Sequence, residues 1–456
     1  MSSKSKRQGG GPGFMDEKKR RTGQFARGDY MSFPLKECYY LLNPQMELSG
    51  NGVYLENDHL VYYVTWLNGV VDGDVIALNT QLKGICGHYE VRHGYVKRCR
   101  FLSTKQLSIP LYDSKARWEG DATFQRERYG WGLFFDPDGN VCYEGFCIGN
   151  VYVGYGRFYH VSSATVEYEG TICNNMRCGY GSLYSKDGSL LYRGFFFNDK
   201  PYVSCCYSLP DNTQVLSKLE SRTETIVVGD HCANSFKGVM NLSLLPYLKD
   251  FAVGNDSFRL CSGFCVRDHD TLCSIIVGSY SFIGAVAKRK SSRNAFVFAI
   301  ENCPSLRTVH IRHHSFFHCS VYLLSTSSSL DNLLYAEYAF HEVHSVTIST
   351  LNALKHLSFG ENVFSFCHRI SIHNCDRLES ISCKKGSFCF SSSYSETSLS
   401  FSELPLLQSV AFDDSCLSNV HTVSLLHVPL LNPCGIHMRT MSKPFFAALS
   451  AETPRA

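Results

Sequence analysis

Repetition is the feature that most constrains this chain. Three segments align without strain: Trp118-Glu119-Gly120 to Gly130-Trp131-Gly132, Tyr143-Glu144-Gly145 to Gly154-Tyr155-Gly156, and Tyr168-Glu169-Gly170 to Gly179-Tyr180-Gly181. Their paired-glycine motifs begin 24 and then 25 residues apart. An incomplete unit starts at Tyr192-Arg193-Gly194, and an earlier, worn one lies at Trp66-Leu67-Asn68-Gly69 and Asp72-Gly73-Asp74. Within a unit, aromatic residues alternate with small or polar ones, which is strand periodicity. Asp136-Pro137-Asp138-Gly139 and Lys186-Asp187-Gly188 are turn signals. Each unit therefore reads as a β-hairpin. A lone hairpin is marginal in water, so stacked neighbours must supply its buried face. The Gly-aromatic-Gly pattern lets a ring lie over bare backbone.

A second series follows, over about residues 225 to 431. Leu248, Leu272, Leu306, Leu330, Leu354, Leu378, Leu407 and Leu431 hold equivalent places, and five of the seven steps are 24 residues. The other two steps, 34 and 29, contain the polar runs Lys288 to Arg293 and Ser391 to Ser395. Polar insertions at fixed points of a repeat are loops on one edge. Pairs such as Ile275 and Val277 or Leu357 and Phe359 mark a short strand after each leucine. A phenylalanine column follows: Phe258, Phe282, Phe316, Phe340, Phe364 and Phe388. Runs such as Val346-x-Ile348 and Ile370-x-Ile372 precede the leucine, so each coil is expected to carry two short strands.

The first series resembles the MORN repeat, whose pattern is close to Tyr-Glu-Gly, an aromatic, Asn-Gly and then Gly-x-Gly. The segment Gly84 to Tyr112 departs from it. The second series resembles leucine-rich repeats through Leu354-x-x-Leu357-x-Phe359-Gly360-x-Asn362. Its asparagine place is filled elsewhere by Asp256, Tyr280, His314, Tyr338 and Gly386, and its Gly-x-x-Ser-Phe-x-x-Cys trend is similar to the Treponema (BspA-like) type. The expected fold is all-β: stacked MORN-type β-hairpins followed by a leucine-rich-repeat β-solenoid. The expected organisation is a disordered basic tail over 1–28, a hairpin-repeat domain over 29–210, a solenoid of about eight units over 211–435, and a C-terminal tail over 436–456.

The basic tail carries Lys18-Lys19-Arg20-Arg21. It could meet acidic lipid, RNA or an import receptor, or simply be solvated. A formal net charge of +3 over 456 residues gives no whole-chain polyanion binder, and nucleic acid is expected only at that tail. The first residues lack a secretory pattern, and Cys273 to Ala287 falls short of a membrane span. The chain is therefore expected to be cytoplasmic, associated with the cytoskeleton or a membrane. The 21 cysteines include no Cys-x-x-Cys pair. Cys303 and Cys375 stand in a leucine column, and Cys261, Cys319 and Cys367 lie three residues after a column phenylalanine. They are expected to be small apolar core groups.

No Gly-x-Ser-x-Gly elbow, P-loop or kinase signature occurs, so no catalytic residue and no cofactor is expected. His310, His313, His314 and His318 are the best metal candidates, but their spacing fits no established site and no metal is assigned. The resemblances imply a non-enzymatic scaffold that binds proteins through two arrays. The alternative is a peripheral binder of anionic lipid, phosphoinositide above all. Arg126, Arg128, Arg157 and Arg177 are the candidate lipid or partner contacts, and a lipid site needs them on one face.

Overall fold

The computed structural model describes residues 24–57, 59–100, 102–111, 115–161, 163–201, 206–216, 219–284, 296–438 and 442–452. The chain is almost entirely β, as expected. It divides into two compact units, one built on residues up to Ser204 and one from Cys205 onward, which also takes Pro44–Met46. No helix among the described residues is long and apolar enough to cross a membrane.

The first unit holds a nine-stranded antiparallel sheet in which spatial order follows chain order, from Lys105–Pro110 to Lys200–Pro201. Its registers place Gly120, Gly132, Gly145, Gly156, Gly170, Gly181 and Gly194 in one unbroken row. The aromatic residue two places earlier in a strand lies over that row. A Cβ on Gly170 would come within 2.5 Å of the Tyr168 hydroxyl and 2.6 Å of the Gly181 Cα. The ring is held there by its own hydroxyl. Tyr143 donates to the Phe146 carbonyl at 2.8 Å, Tyr168 to Thr171 at 2.8 Å, and Tyr192 to Phe195 at 3.1 Å. So Tyr-Glu-Gly supplies a ring, a residue on the opposite face, and the bare backbone the ring needs.

The worn unit at Trp66–Asp74 is not part of that sheet. It lies in a separate six-stranded antiparallel sheet made by Cys38–Tyr39, Gly50–Leu55, Leu60–Leu67, Val70–Asn79, Gly84–Arg92 and Tyr95–Arg100. Its own pairs are Trp66 with Val71 and Leu67 with Val70, and Gly73 stands across from Val91, so no glycine row forms. Both faces are apolar instead. Tyr63, Ile76 and Leu78 pack with Phe146 and Val153 of the larger sheet. On the other face, Tyr62 meets the rings of Phe25 and Phe33. Of the tail expected over 1–28, residues up to 23 lie outside the described residues. From Gln24 the chain is packed rather than disordered, because Phe25 is buried against Tyr62 and Tyr89.

The second unit is a repetition of coils, most of which give one strand to each of two parallel sheets. The ten-stranded sheet runs from Cys206–Leu209 to Ile436–Met438, and the eight-stranded sheet from Val239–Asn241 to Thr422–Leu426. The leucine and phenylalanine columns are buried between them. Phe258, Phe282, Phe316 and Phe340 stack with ring centroids 4.9, 5.0 and 5.0 Å apart, close to the spacing of paired strands. Each of these phenylalanines has a φ between 53° and 55°, in the left-handed region. Beside them runs a serine ladder. Ser257, Ser281 and Ser315 are fully buried. The Ser315 hydroxyl donates to the Gly278 carbonyl at 2.6 Å and accepts from the Ser281 N–H at 3.2 Å. Each corner hydroxyl thus satisfies backbone groups of the coil below.

The stretch 436–456, expected as a tail, contains the last strand of the ten-stranded sheet and an α-helix, Lys443–Glu452. Phe445 is fully buried against Phe401 and Phe412. The helix covers the last coil, as the end of a stacked array requires.

Candidate interaction surfaces

The four candidate arginines do not share a face. Arg126 sits in the turn before strand Arg128–Phe135 and donates to the Ser108 carbonyl at 3.4 Å. Arg128 donates to the Asn150 side chain. These two line a shallow cleft of about 440 Å³ with Ile109 and Leu111. Arg157 lies between Glu144 at 3.5 Å and Glu169 at 2.8 Å. Arg177 pairs with Glu167 and lies over the Tyr168 ring, 5.5 Å from its centroid. Glu169 and Tyr168 are successive residues of one strand and point to opposite faces. Arg157 and Arg177 are therefore on opposite sides of the sheet, and each already has a carboxylate.

Around Arg157 the cross-strand order is Leu133, Glu144, Arg157, Glu169, Ser182 and Arg193. Burial alone would raise the Glu169 carboxyl. Hydrogen bonds from Tyr155 and Arg157 outweigh it and hold the group below the ordinary carboxylate range. Glu144 behaves alike: burial raises it, and hydrogen bonds from Lys83 and Tyr159 bring it below that range. These are opposite charges directly across strands, the favourable arrangement in a sheet.

Between the two sheets of this unit lies a cleft of about 250 Å³, lined by His88, Arg100, Ser103, Thr104 and Tyr129 among others. His88 is only 6% exposed. Its Nδ1 lies 2.6 Å from the Tyr129 hydroxyl, and its Nε2 lies 3.3 Å from the Asp74 carboxylate but off-line for a hydrogen bond. Burial lowers the His88 pKa by more than Asp74 raises it. The nearby Cys86 thiol is turned to the Ala77 carbonyl at 3.4 Å, and burial pushes its pKa up, so it is a poor nucleophile. His88 and Tyr129 join the two sheets. No sequence motif marks them, because the pair is made across 41 residues.

On the ten-stranded sheet, one outward column reads Val227, Ala252, Ile276, His310, Leu334, Ser358, Ser382 and Ala411. Val227, Ile276 and Leu334 are 43%, 36% and 49% exposed. On the eight-stranded sheet the matching column reads Cys265, Ala299, Leu323, Thr347, Ser371, Ser400 and Ser424, so its later half is small and hydroxylated.

The four sequence-selected histidines go to different places. His310 belongs to the outward column just described. His313 lies 3.8 Å from Glu337, and His318 lies 2.7 Å from Glu342. His314 is stacked between Tyr280 and Tyr338 with both centroids at 4.7 Å, and burial lowers its pKa. No group of three or more His, Cys, Asp or Glu able to hold a metal occurs among the described residues. The column cysteines are free and fully buried. Burial pushes Cys319 and Cys303 up to about 12 and Cys261 up to about 11, which keeps them as thiols.

No protein-family model and no curated protein matches the chain.

Proposed function

We propose that this protein is a non-enzymatic scaffold, built of MORN-type hairpins and a leucine-rich-type solenoid, that holds other proteins on its two arrays at the cytoskeleton or beside a membrane. The observation that carries this reading is the outward column of the ten-stranded sheet. Exposed apolar side chains occur at scattered places on both units, but Val227, Ile276 and Leu334 share one cross-strand column of a single sheet face, alternating with Ala252 and His310. Flat, regular faces with apolar points are the usual docking surfaces of repeat arrays. Anionic lipid has less support, because Arg157 and Arg177 are each already paired with a glutamate.

The test is capture of partners from the source cell by the full chain and by its Ile276→Arg/Leu334→Arg variant. Both positions are outward, so circular dichroism should be unchanged. The variant should lose a defined set of partners. An unchanged set would remove the solenoid face from the account.

A further inference from the structure

In the hairpin sheet, one cation comes from outside the repeat. The second unit supplies its own: Arg157 stands across from Glu169, and the Tyr155 hydroxyl also bonds that carboxylate. In the first unit the matching places are Trp131, Leu133 and Glu144. Leu133 has no charge and Trp131 no hydroxyl. The unmatched place is taken by Lys83, from a turn of the other sheet 61 residues away. Its Nζ lies 3.1 Å from Glu144 Oε1 and 4.5 Å from the centroid of the Trp131 ring. A carboxylate and an indole face together make an ammonium site.

The two sides of this contact differ. Glu144 is recessed, with its side chain 15% exposed, and is fixed through its other oxygen, Oε2, by the Tyr159 hydroxyl at 3.0 Å and Arg157 at 3.5 Å. Lys83 is 52% exposed, on a turn, with a φ of 50° that few lysines adopt. The receptor side is built and the cation side is removable. Only Oε1 is open to a newcomer. A guanidinium fork wants two acceptor oxygens, whereas an ammonium needs one, so the recess suits lysine better than arginine.

We propose that the Trp131–Glu144 recess is a docking site for a lysine-bearing extended segment of a partner protein, and that Lys83 is its built-in competitor. The proposal names partner chemistry for the hairpin array and so rests on the docking reading given above. A bound segment would place its lysine ammonium on Oε1 and over the indole, and Lys83 would swing to solvent.

The experiment uses the full chain and a fluorescein-labelled peptide of alternating lysine and glycine, with its lysine-acetylated counterpart. Lys83→Ala removes the intramolecular competitor and should tighten peptide binding by about tenfold or more. Glu144→Gln should abolish it. Because Glu144 also holds Arg157, Trp131→Leu serves beside it, removing the ring face and leaving that ion pair; it should weaken binding several-fold. The acetylated peptide should not bind, and salt should weaken the unmodified one. The proposal is overturned if Lys83→Ala binds no tighter than the unsubstituted chain, or if acetylation or Trp131→Leu leaves binding unchanged. Partner capture through the Ile276 and Leu334 face is indifferent to these results, so failure here leaves that reading standing.

Discussion

The hairpin sheet and the solenoid use nearly the same repeat length and reach opposite architectures. In the hairpin sheet a unit's two strands pair with each other, antiparallel, and the glycine row lets adjacent units join the same sheet. In the solenoid a unit's two strands never pair. Each pairs in parallel with its equivalent in the next coil, most often 24 residues on, as Phe251 does with Ile275. The difference lies in the corners. Asp-Pro-Asp-Gly reverses the chain, while two left-handed residues flanking a buried serine, Tyr280 and Phe282 around Ser281, only turn it. A hairpin unit therefore depends on bare backbone under a ring. A coil depends on the coils above and below it.

The comparison can be broken at the glycine row first. Gly170→Val should abolish the hairpin unit's cooperative unfolding transition, because the new Cβ meets backbone at 2.6 and 2.7 Å and no side chain can yield. Calorimetry should show the solenoid transition retained. Phe316→Ala should destabilise the solenoid by about 3–5 kcal/mol, because the ring is fully buried among Phe282, Phe298 and Phe340. Denaturant unfolding followed by hydrogen exchange should show the loss spreading to both neighbouring coils. Ser315→Ala should cost about 1–3 kcal/mol, since it strands the Ser281 N–H and the Gly278 carbonyl. Ala339 stands in the same column without a hydroxyl, so Ala339→Ser gives the matched control.

The smallest effect is one of pH. Burial lowers the His88 pKa in the folded state, so the unfolded chain binds the proton more readily. Stability from keeping His88 neutral is therefore present at neutral pH and is lost as pH falls through the unfolded value of about 6.5. His88→Asn should flatten the hairpin transition's dependence on pH between 7 and 5. The solenoid's dependence should persist, because burial lowers His314 and His368 in the same direction.

The solenoid's columns were legible in the chain because its leucine and phenylalanine places recur at near-constant spacing from coil to coil. Leu248, Phe258 and Cys261 fall where their spacing puts them. The hairpin units were legible from Tyr-Glu-Gly and the paired glycines. The six-stranded sheet was not, since Leu60–Leu67 is buried on both faces and shows no alternation. The left-handed phenylalanines were hidden because side-chain identity there reports the core, not the backbone. The site contacts were the least legible. Lys83 with Trp131 and His88 with Tyr129 are made between sheets, and no local pattern encodes either. Arg157 and Arg177 looked alike as exposed cations until strand alternation set them on opposite faces.

The central claim is that the two arrays dock different proteins. It is tested most directly by quantitative capture from the source cell with three full-length chains: unsubstituted, Ile276→Arg/Leu334→Arg, and Glu144→Gln. The account predicts that each variant loses its own subset of partners and keeps the subset lost by the other. Loss of the same partners by both variants, or of none by either, would contradict it.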